Sequence, residues 1–238
     1  MLTLGRATHL GLVAIGLAIG SQSDATRGRP ATDGGPSFID RLFGHRSRHR
    51  DLTSSPGAPS TRYDDYFRKY SKRYFGPGFA WRVFKAQAMA ESGLDSTAKS
   101  AVGARGIMQI MPSTFAILSR HSGGAASPED AQTNIAAGIE HDAYLWQLFG
   151  RITAHPEHYR FMVGAYNAGE GTIQRAQRVA RAAQADETSW QGVASIAPQV
   201  PRWRYHETLG YVNRIAVYYH RLQMLDAVPP VEMDLEQK

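Results

Sequence analysis

The stretch Trp81-Arg-Val-Phe-Lys-Ala-Gln-Ala-Met-Ala-Glu91-Ser-Gly93 is an apolar helical segment that ends in a carboxylic acid. Its apolar residues recur at spacings of three and four, which predicts a packed helix, and Gly93 is suited to end it. A Glu in water titrates near ~4.3, but one set in an apolar wall keeps its proton to roughly pH 6 to 7 and can act as an acid. Glu91 is therefore either a solvated helix end or a proton donor.

Composition limits the classes of protein to consider. The chain has 238 residues, of which 42% are hydrophobic, enough for one domain of roughly 150 to 200 residues with extensions. A formal charge of +6 and a pI near 9.6 favour contact with a polyanion, which could be nucleic acid, anionic lipid or an acidic cell-wall polymer. The absence of cysteine excludes disulfides, thiol nucleophiles and Cys-ligated zinc. We find no metal-ligand cluster and no phosphate-binding loop in the sequence.

The two ends of the chain differ in composition from its middle. Residues 1–20 place Arg6 and His9 before an uncharged run, which predicts a signal peptide, with an uncleaved N-terminal anchor or a buried helix as the alternatives. The run is short for a membrane span of ~20 residues. Residues 21–61 are rich in Gly, Pro, Ser and Arg and predict a flexible basic linker, and 227–238 predict a flexible tail. The folded domain is expected over 62–226.

Periodicity in the middle of the chain is helical, and strand alternation is nearly absent. Ser113 or Thr114 is expected to cap a helix that begins near Pro112, and Ser127 is expected to cap the next. These patterns predict an all-helical single domain. Helices are predicted over 64–74, 77–91, 127–149, 158–167, 173–185 and 207–225, and a further helix is predicted to begin at 112.

Four short motifs then occur in a recognisable order: Ala90-Glu-Ser92, Ala98-Lys-Ser-Ala-Val-Gly103 with Gly106-Ile-Met-Gln-Ile-Met-Pro112, Ala165-Tyr-Asn-Ala-Gly169 and Glu207-Thr-Leu-Gly-Tyr-Val212. Together they resemble the catalytic domain of the soluble-type lytic transglycosylases, and the resemblance covers roughly 67–225. It implies a mainly α, lysozyme-like fold similar to the goose-type lysozymes, with a cleft for glycan. It also implies an enzyme that cleaves the glycan strands of peptidoglycan.

The resemblance assigns roles to individual residues. Glu91 matches the single catalytic acid, Glu207 an acidic position on the muropeptide side, and Tyr211 a residue packed behind the cleft. Each assignment has a structural alternative: Tyr166 as a core residue, Asn167 as a helix end and Glu207 as a favourable charge at a helix start. Gln109 needs a partner if buried, which a sugar hydroxyl or acetamido group could supply. The residues matched to the sugar cleft are Ser100, Gln109, Met111, Tyr166 and Asn167.

The resemblance also implies a reaction that needs no cofactor and no metal. The acid protonates the leaving oxygen, and as a carboxylate it then takes a proton from the muramyl C6 hydroxyl, so that a 1,6-anhydro ring closes without water. Glycosidases of the more common kind need a second carboxylate. Asp95 is the nearest in sequence, but it follows the helix-ending Gly93, so we interpret it as a loop cap.

One departure bears on the branch of the family. After Gly138, Tyr144-Leu145 comes one turn later than in the most common pattern, which resembles the membrane-bound type F and secretion-associated branches. The expected setting is the periplasm or cell envelope, or the inner membrane if the leader is uncleaved. The expected partner is peptidoglycan, and secretion or conjugation machinery is a further candidate partner. The chain is expected to be a monomer and to bind no nucleic acid. A lysozyme-type hydrolase and a catalytically silent wall-binding scaffold are the alternative functions.

Overall fold

The computed structural model describes residues 60–119, 127–150 and 157–227. Extended pairing in these ranges is limited to isolated bridges that join Lys99 to Arg105 and Arg105 to Ile110. The predictions for the leader, for most of the linker and for the tail concern residues outside the described ranges. The helices are α1 (Asp64–Phe75), α2 (Arg82–Ser92), α3 (Pro112–Ser119), α4 (Ala131–Phe149), α5 (His158–Ala168), α6 (Glu170–Ala182), α7 (Trp190–Ser195) and α8 (Tyr205–Ala227), with a 3₁₀ helix at Ala197–Gln199.

Helix α2 is surrounded by protein along most of its length. Its buried residues include Lys85 and Gln87 as well as the apolar Val83 and Phe84, and a helix buried on nearly all sides belongs to the interior. It packs most extensively against α8 and also contacts α1, while α4 packs between α1 and α5. Because its neighbours hold α2 on several sides, the position of its last residues is closely determined.

A buried ion pair ties α1 to α2. Lys85 Nζ lies 2.6 Å from Asp64 Oδ1, and both side chains are almost completely shielded from solvent. A buried charge is costly unless it is paired. The pair therefore favours the arrangement in which these two helices meet at this point.

The loop between α2 and α3 is held by a side chain from α4. Asn134 Nδ2 donates to the carbonyl oxygens of Arg105, at 3.0 Å, and Pro128, at 2.8 Å, and Asn134 Oδ1 accepts from Met108 N at 2.7 Å. Gly106 has φ +75°, and a Cβ there would lie 2.4 Å from Asn134 Nδ2. Only glycine fits this backbone without displacing the Asn134 side chain.

Several details of the predicted helices are wrong. Helix α2 begins at Arg82 rather than near Pro77, and α7 was not predicted. Ser127 does not cap α4: Asp130 does, and its side chain accepts from Thr133 N. Asp130 directly precedes the helix, so its carboxylate can reach the free N–H, whereas the Ser127 hydroxyl lies three residues earlier and bonds to Glu129.

The expected cap of α3 is also wrong. The helix already includes Pro112, so Ser113 and Thr114 lie inside it. Proline is well suited to a first helical turn because it has no N–H to leave unpaired.

Candidate active site

Glu91 lies in the last turn of α2, where the helix emerges from the core. The hydroxyl of Tyr211, from α8, donates to Glu91 Oε1 at 2.5 Å. Burial raises the pKa of the Glu91 carboxyl from 4.5 to about 7, while the Tyr211 hydrogen bond and the positive charge of Arg214 act in the opposite direction. The surroundings thus keep a large fraction of this acid protonated at neutral pH.

Two charged side chains of α8 frame this carboxyl group. Arg214 lowers the pKa of Glu91 and Glu207 raises it. Burial raises the pKa of Glu207 itself, and Arg204, Arg214 and a hydrogen bond from Asn167 reduce that effect. The structure therefore brings Asn167 and Glu207 together, although 40 residues separate them in sequence.

Gln109 lies in a strained position within the loop that α4 holds. Its φ is +46°, in the left-handed region that residues other than glycine rarely adopt. Its Nε2 donates to the carbonyl oxygens of Ala98, at 3.1 Å, and Gly106, at 2.9 Å, whereas its buried Oε1 has no hydrogen-bond partner. The side chain braces the loop with its donors and leaves its acceptor unused.

The remaining residues matched to the sugar cleft also take part in local structure. Ser100 Oγ accepts from Ala104 N at 2.9 Å within the loop, and Met111 is half-buried at the start of α3. The hydroxyl of Tyr166 donates to Met108 O at 2.8 Å. Its pKa is raised well above 10, first by burial and then by the nearby carboxyl groups of Asp142 and Glu91. Tyr166 therefore links α5 and the loop beside Glu91.

Asp95 caps its loop, as predicted. Its Oδ1 accepts from both the N–H and the hydroxyl of Thr97, each at 2.8 Å, and the residue is exposed. This side chain is committed to the turn after α2. Met108, in the same loop, is fully buried and belongs to the core.

The sequence analysis missed a second carboxyl group near Glu91. Asp142 of α4 is fully buried, and Gln87 of α2 donates to its Oδ1 at 3.2 Å. Asp142 and Glu91 both lie near enough to Tyr166 and Tyr211 to raise the pKa of these two hydroxyl groups. A signal was available: Asp142 follows Ile135 by seven residues and Ile139 by three, so it shares their buried face.

Another missed feature is an aromatic row beside Tyr166. His141 lies 5.3 Å from Tyr166 and 6.0 Å from Tyr144, measured between ring centroids. Burial lowers the pKa of His141 to about 4, so the ring is neutral at neutral pH. Tyr144 is largely exposed and donates to Glu170 Oε1 at 3.1 Å. The row was not predicted because the residues belong to two helices.

The described ranges hold neither a metal-binding cluster nor a helix that could cross a membrane. Within 60–119, 127–150 and 157–227, no group of three His, Asp or Glu side chains is arranged to hold a metal ion. No helix of these ranges has both the length and the apolar character that crossing a bilayer requires.

The chain is similar to known proteins over most of the described part. It is 28% identical to membrane-bound lytic murein transglycosylase F of Desulfosudis oleivorans, over 63% of this chain and 35% of that protein. It is 30% identical to membrane-bound lytic murein transglycosylase F of Vibrio cholerae, over 68% of this chain and 31% of that protein. The chain thus spans about a third of the length of these curated relatives.

Similarity to solved structures supports the same grouping. The 70 kDa soluble lytic transglycosylase of Escherichia coli matches with a TM-score of 0.53 and 29% identity, over 70% of this chain and 25% of that one. Lytic transglycosylase Slt of Pseudomonas aeruginosa matches with a TM-score of 0.56 over 72% of this chain and 26% of that one, and at 23% identity it supports the fold alone. The predicted helical, lysozyme-like fold is confirmed.

A match to a family model defines the group to which the chain belongs. It covers residues 65–189, from the first turn of α1 to the residue before α7. Glu91, its loop and the Tyr166 turn all lie within that range, while Tyr211 on α8 lies beyond it. Because the match covers more than half of the 238 residues, the chain belongs to the Transglycosylase SLT domain family.

Proposed function

We propose that the chain is a peptidoglycan lytic transglycosylase. It cleaves the β-1,4 bond between N-acetylmuramic acid and N-acetylglucosamine and releases a 1,6-anhydromuramoyl product. The observation that carries the proposal is the Glu91 carboxyl, whose burial raises its pKa to about 7 while Tyr211 orients it. Such a group is partly protonated before the reaction at neutral pH and basic enough to recover its proton afterwards. Family membership and the relatives named lytic murein transglycosylase F support the same reaction.

The reaction has two steps that balance without water. Glu91 gives its proton to the glycosidic oxygen, the bond from that oxygen to the muramyl C1 breaks, and its electron pair stays on the leaving oxygen. The Glu91 carboxylate then takes the proton of the C6 hydroxyl as O6 bonds to C1. Glu91 ends protonated, ready for another cycle. A positioned acid and base of this kind contributes ~10²- to 10⁴-fold.

The proposal includes the residues matched to the sugar cleft. The unpartnered Oε1 of Gln109 supports a contact with a sugar N–H or hydroxyl, and the Asn167 contact with Glu207 supports a shared polar wall on the muropeptide side. The proximity of Tyr166 to the charge of Glu91 supports its place in the cleft. Ser100 and Met111 complete the set from the loop and from the start of α3.

A lysozyme-type hydrolase is the second candidate, and Asp142 is the observation that favours it. A hydrolase needs a second carboxylate, either as a nucleophile or to activate water, and Asp142 is close enough to Glu91 for the Glu91 charge to raise its pKa. The two functions predict different products from the same bond.

Product mass separates the two candidates. Purified peptidoglycan is digested to completion, and the released muropeptides are analysed by mass spectrometry. We expect 1,6-anhydromuramoyl ends, which are lighter by one water than the reducing ends that a hydrolase leaves. Digestion in ¹⁸O-labelled water gives a second reading: label at C1 of the product would overturn the proposal in favour of hydrolysis.

Glu91→Gln tests the identity of the acid. We expect glycan cleavage to fall by a factor of at least ~10². The matched control is Glu187→Gln, the same change at a carboxylate paired with Arg181 on the surface, which should retain activity. Digestion near the wild-type rate by Glu91→Gln would show that another group supplies the proton.

The same variant should fold and should be more stable than the wild type above neutral pH. Because the folded-state pKa of Glu91 is about 7 against an ordinary 4.5, ionisation costs folding free energy as pH rises through this window. This cost in folding free energy is absent below about pH 4.5 and complete above about pH 7. Glu91→Gln removes it, so we expect a gain of about 2 kcal/mol at about pH 8 and none at about pH 4 in urea unfolding.

The proposed setting follows from the substrate. Peptidoglycan lies in the cell envelope, and the relatives named membrane-bound lytic murein transglycosylase support an envelope location. We further propose that the chain acts as a monomer outside the cytoplasm and clears peptidoglycan for envelope-spanning secretion or conjugation machinery. Light scattering of the purified chain measures the oligomeric state, and cell fractionation measures the location.

A further inference from the structure

Asp142 and Gln87 form a buried pair in which two atoms lack a partner. Gln87 Nε2 donates to Asp142 Oδ1 at 3.2 Å, and both residues are fully buried. Asp142 Oδ2 and Gln87 Oε1 have no hydrogen-bond partner. A buried polar atom without a partner is costly, and such atoms are uncommon in folded proteins.

A single proton would satisfy both atoms. If Asp142 is ionised, its Oδ2 and the amide Oε1 of Gln87 are both acceptors and cannot bond to each other. If Asp142 is a neutral acid, its hydroxyl can donate to Gln87 Oε1 while Gln87 Nε2 continues to donate to the acid carbonyl. The two planar groups would then be joined by two hydrogen bonds with no atom left over.

The surroundings of Asp142 favour the neutral form. Burial raises its pKa well above 3.8, the Glu91 charge raises it further, and only the Gln87 hydrogen bond acts in the other direction. No positive charge of the described residues contributes. Helix α3 has no ionisable side chain, and α1 meets α4 through tyrosines bonded to Gln132 and Glu140. The ionisable groups that interact with Asp142 are Glu91 from α2, Tyr166 from α5 and Tyr211 from α8.

We propose that Asp142 is a positioning residue held as a neutral carboxylic acid, and that its hydroxyl donates to Gln87 Oε1 to close an acid–amide pair behind Glu91. Gln87 precedes Glu91 by four residues on α2, which is one helical turn. The pair forms an uncharged wall next to the carboxyl that gives and recovers the proton. The inference deepens the proposed function, on which it rests for the role of Glu91.

An uncharged wall has two consequences for the reaction. Glu91 can ionise during the first step without a second negative charge beside it, which would otherwise hold its proton more tightly. Asp142 also cannot serve as the second carboxylate of a hydrolase, because its oxygens are engaged and its charge is absent. The wall thereby favours a reaction in which the substrate's own hydroxyl closes the ring.

A swap of the two side chains tests the pair. The variants are Asp142→Asn, Gln87→Glu and the double variant that carries both changes, and the measurement is kcat/KM on purified peptidoglycan as a function of pH. Asp142→Asn replaces the neutral acid with a neutral amide. We expect the alkaline limb of the kcat/KM–pH profile to keep its wild-type midpoint, and kcat/KM to stay within about threefold of the wild-type value.

Gln87→Glu should behave differently. It leaves two carboxyl groups that need two protons, and loss of either proton puts a negative charge one turn before Glu91. We expect the alkaline limb to move to higher pH, because a nearby negative charge raises the pKa of Glu91. The double variant restores an acid–amide pair with the acid on α2, and we expect the wild-type midpoint to return. A residue that only fills space would not give this recovery.

Infrared spectroscopy supplies a reading that does not depend on activity. In the Glu91→Gln background, the carbonyl band of a protonated carboxylic acid should persist at about pH 8, far above the ordinary range for Asp. Adding Asp142→Asn should remove the band. Its absence before that change would show that Asp142 is ionised.

Two kinetic outcomes would also overturn the inference. A shift of the alkaline limb to lower pH in Asp142→Asn would mean that an ionised Asp142, bonded to water, had been raising the Glu91 pKa. A loss of at least ~10²-fold in a folded Asp142→Asn would mean that its carboxylate takes part in the chemistry. Product mass from the wild type tests the proposed function separately: anhydro ends without the infrared band would reject this inference alone, and hydrolysed ends with the band would reject the function alone.

Discussion

At the scale of single residues, the site is governed by a small number of charges around one carboxyl group. Burial raises the pKa of Glu91, and three named groups adjust it: Tyr211 and Arg214 downward, Glu207 upward. Each adjusting group lies on α8, whereas Glu91 lies on α2. The proton affinity of the acid therefore depends on how these two helices pack.

Removing the Tyr211 hydroxyl should change the pH dependence of activity. The hydroxyl donates to Glu91 and favours its ionised form, so Tyr211→Phe should raise the Glu91 pKa and move the alkaline limb of kcat/KM above the wild-type midpoint. Without this hydrogen bond the Glu91 carboxyl is less well oriented, so we also expect kcat to fall by ~10- to 100-fold. Steady-state digestion at a series of pH values measures both effects.

Tyr218→Phe is the matched control, because it removes the same hydroxyl from a partly buried tyrosine two turns farther along the same helix. It should leave the midpoint where it is in the wild type. An unmoved midpoint in Tyr211→Phe, with normal folding, would show that the hydrogen bond does not control the acid.

At the scale of elements, the site depends on a loop that is held by side-chain hydrogen bonds rather than by regular secondary structure. The segment from Gly93 to Met111 contains only isolated bridges, and its shape comes from Asn134 on one side and from the amide of Gln109 within it. Asn134 donates two hydrogen bonds and accepts one. An amide is the side chain that can do both at once.

Asn134→Ala should release this loop. The change leaves Met108 N and the Pro128 carbonyl without their side-chain partner and removes one of the two hydrogen bonds to the Arg105 carbonyl. We expect a cost of about 2 to 4 kcal/mol in unfolding free energy. We expect amide hydrogens of residues 105–110 to exchange by local opening, before global unfolding, and kcat/KM to fall. Urea denaturation and hydrogen exchange with mass spectrometry make these measurements.

The control for this element is Gln147→Ala, at an exposed position of the same helix. It should change stability by less than ~0.5 kcal/mol. If the amide hydrogens of the loop exchange at an unchanged rate in Asn134→Ala, then Asn134 does not hold the loop.

At the scale of the whole molecule, the interior is assembled from helices that are distant in sequence but share polar contacts. Lys85 and Asp64 join α1 to α2, Gln87 and Asp142 join α2 to α4, and Tyr211 joins α8 to α2. Helix α2 takes part in every one of these contacts. A buried polar contact is satisfied in few alternative packings, so these pairs favour one arrangement of the bundle.

Breaking the buried ion pair should lower the stability of the whole domain. Lys85→Met leaves the Asp64 carboxylate buried without its partner, which typically costs about 3 to 5 kcal/mol. The double variant Lys85→Met with Asp64→Leu should recover most of this loss, because it removes both charges and keeps apolar contact. Urea unfolding of the two single variants and the double variant gives the coupling energy, and additive losses would contradict the predicted coupling.

The sequence by itself determined the class of the fold and predicted which residue is the acid. Helical periodicity, glycines at turns and four ordered motifs are local signals, which can be recognised before the packing of the helices is known. They led to α2, to its end at Glu91 and Gly93, and to the family. Helix bounds and caps were less certain, as Asp130 and Arg82 illustrate, because several nearby residues can supply a cap.

Only the tertiary structure decided which side chains surround the acid and in what state. Tyr211 is 120 residues from Glu91, and the spacing of Asp142 indicates a buried helix face without showing what that side chain contacts. Their effects depend on the distance and on the exclusion of water, and both quantities arise only when α2, α4, α5 and α8 pack together. The sequence predicts which residue donates the proton, but packing determines its pKa and whether the second carboxyl beside it carries a charge.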